Sequence, residues 1–246
     1  MHSSCPIVLH GLSMTDLLQH LTATHSAPTT LIVCSSRDLF EHQLVRALGA
    51  SSLQVDQDGH ARKHPLVTPT LHLLKSTLTV RLAFCPSLEA LRAHLAVYRA
   101  NHACEVSGGT REPMLCILNM LALHRETTSF SAQGISRTLA IAVEAAARCG
   151  QKLVISECPA PPDTTMEQCR HESAERLPQD AEASGEHESS EPRDPWSEQL
   201  SILNVTTKSF GVGSRGWAGR TVSARAVAER WCRFERYQGV QARQGV

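Results

Sequence analysis

Pro113-Met-Leu-Cys-Ile-Leu-Asn119 and Lys152-Leu-Val-Ile-Ser-Glu157 decide how this chain folds. Each is a short, unbroken apolar run closed by a polar residue, as expected of a strand buried on both faces. Between them, after His124-Arg-Glu126, lies a long amphipathic interval from Ser131 or Gln133 to Cys149. In it Leu139, Ala142, Val143, Ala146 and Ala147 recur at the spacing of one helical face. Strand, crossover helix and strand make a βαβ unit, which implies a parallel sheet covered by helices.

Outward from this unit the pattern repeats. Pro6-Ile-Val-Leu-His-Gly11 reads as a strand ending at a glycine turn, with a helix over Met14–Thr24 capped by Ser13 or Thr15. Thr29–Cys34 reads as a buried strand, followed by a helix over Arg37–Leu48 capped by Ser35 and Ser36. Residues 49–69 are polar and turn-rich. Leu71–Lys75 and Thr79–Phe84 read as strands, and Ser87 caps a helix running to about Ala100. Near the C-terminus, Gln199–Thr206 and Thr221–Phe234 alternate like strands around the glycine-rich turn Gly211–Gly219, which predicts an antiparallel hairpin completing the sheet. The expected organisation is an α/β core over 1–158, an inserted loop over 159–196, the hairpin over 197–236 and a tail over 237–246.

The formal net charge is zero, so no global field draws the protein to nucleic acid or membrane. Charge is unevenly placed, however. Residues 159–195 hold ten acidic residues and three arginines, and are too polar to offset their ordering entropy. Residues 204–246 hold eight Lys/Arg against Glu229 and Glu235. There Arg215, Arg220, Arg225, Arg230 and Arg233 interleave with Trp217 and Trp231, a mixture suited to backbone neutralisation and base stacking on single-stranded DNA. The competing reading is a half-buried strand with a solvated basic face.

Nine cysteines occur singly, with no Cys-x-x-Cys pair, and the thirteen histidines are scattered. Neither pattern points to a metal. No nucleophile elbow surrounds Ser156, Cys158 or Cys34. No apolar run approaches the length that spans a bilayer, and the expectation is a protein of a reducing compartment, nuclear or alternatively cytoplasmic.

Taken in order, these elements resemble the core of the RecA-like recombinases. The stretch from Arg81 to Asn119 looks most like the small accessory paralogues of Shu-type complexes. The resemblance implies a three-layer, mostly parallel sheet with helices on both faces and a C-terminal antiparallel hairpin. It also locates a degenerate nucleotide site near Gly11, Ser13 and Asn119. The turn His10-Gly-Leu-Ser-Met-Thr15 has one glycine and no lysine where a Walker A loop needs both. Asn119 stands where such a fold carries a magnesium-binding aspartate, and Glu112 and Glu126 are poor substitutes. No catalytic residue, cofactor or metal is therefore expected.

The function implied is docking within an assembly that assists homologous recombination and DNA repair. The sheet edge and helices would bind another RecA-like paralogue or a SWIM-type zinc protein. The alternative within the same fold is a subunit of the Elongator accessory ring in tRNA modification. A small-molecule enzyme using Asn119, Ser156 and Cys34 ranks third.

Overall fold

The computed structural model describes residues 5–24, 27–52, 64–99, 112–159, 194–202 and 220–239. Six strands form one sheet: β1 (Ile7–His10), β2 (Thr29–Val33), β3 (Val80–Phe84), β4 (Met114–Leu118), β5 (Lys152–Ser156) and β8 (Arg233–Arg236). Their order is β3-β2-β4-β5-β1-β8, and every pairing is parallel. The α/β class with a parallel sheet is thus observed. β4 is central and buried along its whole length, because helices cover both of its faces.

Side chains of β4 alternate between two cores. Leu115 and Ile117 join one apolar cluster, while Met114, Cys116 and Leu118 join the other. The first cluster lies under α4 (Leu88–Val97), α6 (Ala132–Arg148) and α7 (Ala224–Ala228). The second lies under α1 (Met14–Gln19), the π-helical turn His20–Thr24 and Phe40 of α2 (Arg37–Ser52). Serine caps start these helices as their spacing predicts. Ser13, Ser87 and Ser131 accept from Asp16, Ala90 and Gly134 amides, and Ser36 Oγ accepts from Leu39 N–H.

Four features differ from the sequence reading. Leu71–Thr79 is a helix, α3, capped by Thr70, rather than the short strand expected over Leu71–Lys75. Its apolar run has a cap and no partner strand, so local capping decides the state. Met120–Arg125 forms a separate short helix, α5, ahead of α6. The C-terminal hairpin exists, but β6 (Gln199–Ser201) and β7 (Thr221–Ser223) make a two-stranded ribbon of their own. After Ser223 the alternation Ala224, Ala226, Ala228 is helical instead, because the Ser223 hydroxyl caps α7. What completes the sheet is β8, parallel to β1 from Ile7↔Arg233 to His10↔Arg236. The acidic segment from 160 to 193, the turn 211–219 and residues 240–246 lie outside the described residues.

Trp196, in a 3₁₀ turn capped by Asp194, is buried in the first core and meets the Phe234 ring edge-on at 5.3 Å. It anchors the return of the chain from the acidic segment to the sheet.

Candidate functional site

In a parallel sheet, ligands gather at the carboxyl ends of the strands, where successive loops leave for opposite faces. Here the loops after β1 and β2 enter the α1/α2 layer, and the one after β4 enters the α5/α6 layer. The edge between them carries Gly11, Ser13, Cys34, Asn119, Ser156, Glu157 and Cys158.

Asn119 ends β4 in the left-handed region, at φ 62°, a conformation that asparagine tolerates better than most side chains. Its N–H donates to the Ser156 carbonyl at 2.9 Å. Its Oδ1 accepts from the Cys158 N–H at 2.8 Å. Asn119 is therefore a clasp between β4 and β5, and gives α5 no side-chain cap. Glu157 supplies that cap: Leu121 N–H donates to Oε1 at 2.6 Å and Ala122 N–H to Oε2 at 3.4 Å. Burial holds the Glu157 carboxyl up to about 7, against the opposing pull of these amides and of Arg125.

Neighbouring thiols are pushed the same way. Burial raises Cys158 to about 12, and burial followed by the Glu157 charge raises Cys34 well above the ordinary range. Ser156 is fully buried, its Oγ 3.7 Å from Cys158 Sγ. Protonated, enclosed thiols are packing groups rather than nucleophiles.

The turn after β1 is exposed and lies against the Arg236 side chain. Gly11 has φ 74°, and a Cβ there would lie 3.6 Å from Arg236 Cγ. Ser13 and Asp16 form a reciprocal capping box: Ser13 Oγ accepts from Asp16 N–H at 3.1 Å, while Asp16 Oδ2 accepts from Ser13 N–H at 3.0 Å. An anionic carboxylate thus stands beside the helix start where a phosphate would otherwise look for amides. Gly11, Ser13 and Asn119 follow the carboxyl ends of β1 and β4, and the side chains of Ser13 and Asn119 are engaged within the protein. Glu112 and Glu126 are exposed.

The basic candidates divide. Arg215 and Trp217 lie outside the described residues. Arg225 pairs with Glu229 at 2.9 Å and its guanidinium sits 4.6 Å from the centre of the Phe234 ring. Arg233 pairs with Glu235, Nε to Oε1 at 3.1 Å. Trp231 packs against the first core and its indole N–H donates to Ser136 Oγ at 3.1 Å, so it is not an open stacking platform. Arg220 and Arg230 are exposed.

Sequence reasoning passed over three features. Glu157 is the buried carboxylate of the edge; its signal was a lone acidic residue directly after a buried strand. His124 is fully enclosed, with Nε2 3.0 Å from Thr138 Oγ1 and Nδ1 3.2 Å from the Ser129 carbonyl, and burial lowers it to about 4. Third, a cleft of about 740 Å³ opens at the amino end of the sheet beside β3. Its floor is Tyr98, whose hydroxyl lies 2.9 Å from both Thr30 Oγ1 and Gln151 Oε1. Among the described residues no cluster of three His, Cys, Asp or Glu suits a metal ion, and no helix is long and apolar enough to cross a membrane.

The chain matches no protein-family model, and no curated protein matches it.

Proposed function

We propose that this chain is a non-catalytic, RecA-like accessory subunit of an assembly that assists homologous recombination and DNA repair, and that it acts by docking to protein partners. The observation that carries this reading is the state of the carboxyl edge. Asn119 is spent on the Cys158 amide, Glu157 on α5 and Asp16 on α1. A lysine and an anionic magnesium ligand are both missing from the positions that the resemblance assigns to them. An adaptor needs the shape of the fold and not its turnover. Among the described residues the exposed Arg220 and Arg230 are available for a supporting DNA contact.

The test is affinity purification of the tagged full chain from its own cells, with mass spectrometry of its companions. Stoichiometric recovery of a recombinase paralogue or a SWIM-type zinc protein is the expected result. Elongator subunits in their place would move the protein to tRNA modification. ATP hydrolysis by the purified chain would overturn the non-catalytic reading.

A further inference from the structure

The outer side of β3 is an open sheet edge: among the described residues β3 pairs with β2 alone. Cys85 N–H donates inward to Val33, so alternation along the strand turns the N–H and C=O groups of Leu82 and Phe84 outward. Native proteins normally blunt such an edge with charge, proline or a covering element. Here β3 carries the charge of Arg81, and among the described residues exposed apolar side chains flank it. Leu78 of α3 is 82% exposed, Val97 of α4 75% and Leu82 of β3 itself 52%. They line the 740 Å³ cleft from both sides of the strand. Among the described residues this edge offers the unpaired backbone on which strand addition builds.

Its charge is one-sided. Arg81 and Arg99 line the groove, both exposed, and among the described residues no acidic side chain does. Neither arginine has a carboxylate partner among the described residues. His94, on the α4 wall, has a shielded Nε2 with no hydrogen-bond partner there. A polar atom enclosed in this way costs free energy until something meets it.

We propose that this groove receives an extended acidic peptide of a protein partner. Its backbone pairs with β3, alternate apolar side chains cover Leu78, Leu82 and Val97, and its carboxylates meet Arg81 and Arg99. The inference rests on the docking reading above and names the surface and the partner's chemistry. The apolar walls favour peptide over nucleic acid, since phosphates and sugars leave Leu78 and Val97 uncovered.

The test uses the purified full chain and ten-residue peptides selected from a phage-displayed random library, then made synthetically and measured by fluorescence anisotropy. Selected peptides should carry apolar residues at alternate positions and at least one Asp or Glu. Arg81→Glu with Arg99→Glu should weaken them at least tenfold and transfer the preference to their Lys-substituted counterparts. Leu82→Pro, which removes an outward N–H from an edge where proline is tolerated, should weaken both kinds of peptide. The charge-reversed chain keeps the test decisive should the proline variant not fold. Failure to select any peptide, equal affinity for Glu and Lys versions, or binding indifferent to charge reversal overturns the inference. So does a thymidine oligonucleotide that binds the native chain and is lost in the same variants. The outcome is separate from that of the companion purification: a groove that takes acidic peptide in a chain found with Elongator subunits keeps this inference and removes the recombination reading.

Discussion

Replacing Glu157 by glutamine should change how stability depends on pH, and the structure gives both sign and size. The carboxyl is buried at the start of α5 and held up to about 7, from an ordinary 4.5. Between these two values the folded protein binds the proton and the unfolded chain releases it. Stability contributed here is complete below pH 4.5 and is lost as pH rises to 7. At about 1.4 kcal/mol per pH interval, the loss is roughly 3 kcal/mol. His124 runs the other way. Its folded value of about 4 lies below the ordinary 6.5, so its contribution is complete above pH 6.5 and is lost as pH falls to 4, again by roughly 3 kcal/mol. In the native chain the two slopes nearly cancel from pH 4.5 to 6.5.

Glu157→Gln keeps an acceptor for the Leu121 amide and removes the charge. Its urea-unfolding free energy, followed by circular dichroism from pH 4 to 8, should rise through the His124 interval and then stay level. The gap between variant and native chain should open by roughly 3 kcal/mol from pH 4.5 to pH 8, in the variant's favour. Parallel curves would refute the reasoning. They would mean that the Leu121 and Ala122 amides stabilise the anion as much as burial penalises it.

Four further outcomes follow from individual contacts. His124→Gln should abolish the acid-side loss while leaving the fall between pH 4.5 and 7, which the same titration reads. Asn119→Ala should lower stability by about 2 kcal/mol, from the lost Cys158 hydrogen bond and the left-handed backbone, and Asn119→Gly should recover the backbone share in urea denaturation. Gly134→Ala should cost more than about 3 kcal/mol, because the new methyl would overlap the Ser129 carbonyl oxygen; a thermal melt within a degree or two of the native chain would contradict the packing. If the C-terminal segment touches single-stranded DNA through Arg220 and Arg230, reversing both to Glu should reduce the slope of log affinity against log salt by about 1.4, read by oligonucleotide anisotropy.

The parts of this fold that were legible in the sequence are those where local and global signals coincide. β4 and β5 are buried on both faces, so their residues form continuous apolar runs with nothing else to explain them. α4 and α6 announce themselves by a serine cap and a periodic face. Misreadings arose where the two kinds of signal part. Leu71–Thr79 has apolar residues on a face that the described structure leaves uncovered, so no tertiary pattern distinguished helix from strand. The stretch after Ser223 alternates like a strand yet is short and alanine-rich, and one hydroxyl cap tips it to helix. The candidate edge was legible as a set of strand ends, because strand ends follow from strands. The Asn119–Cys158 clasp and the Glu157 cap were not, because each joins residues more than thirty apart and rests on a side-chain orientation no spacing encodes.

The two ends of the sheet pose opposite problems, and that contrast bears on function. At the carboxyl end, polar groups are satisfied internally: a left-handed asparagine, the buried Glu157 carboxylate and a solvent-facing capping box each pair with a neighbouring group. A buried carboxylate is costly when unpaired, so the Glu157 pairing with the α5 amides holds that part of the edge together. At the β3 edge the balance is reversed. Among the described residues β3 has outward backbone groups without a strand partner, beside exposed leucine and valine, two arginines and a His94 nitrogen with no hydrogen-bond partner. Under the docking reading proposed above, the β3 edge is where substitutions should separate partner binding from folding.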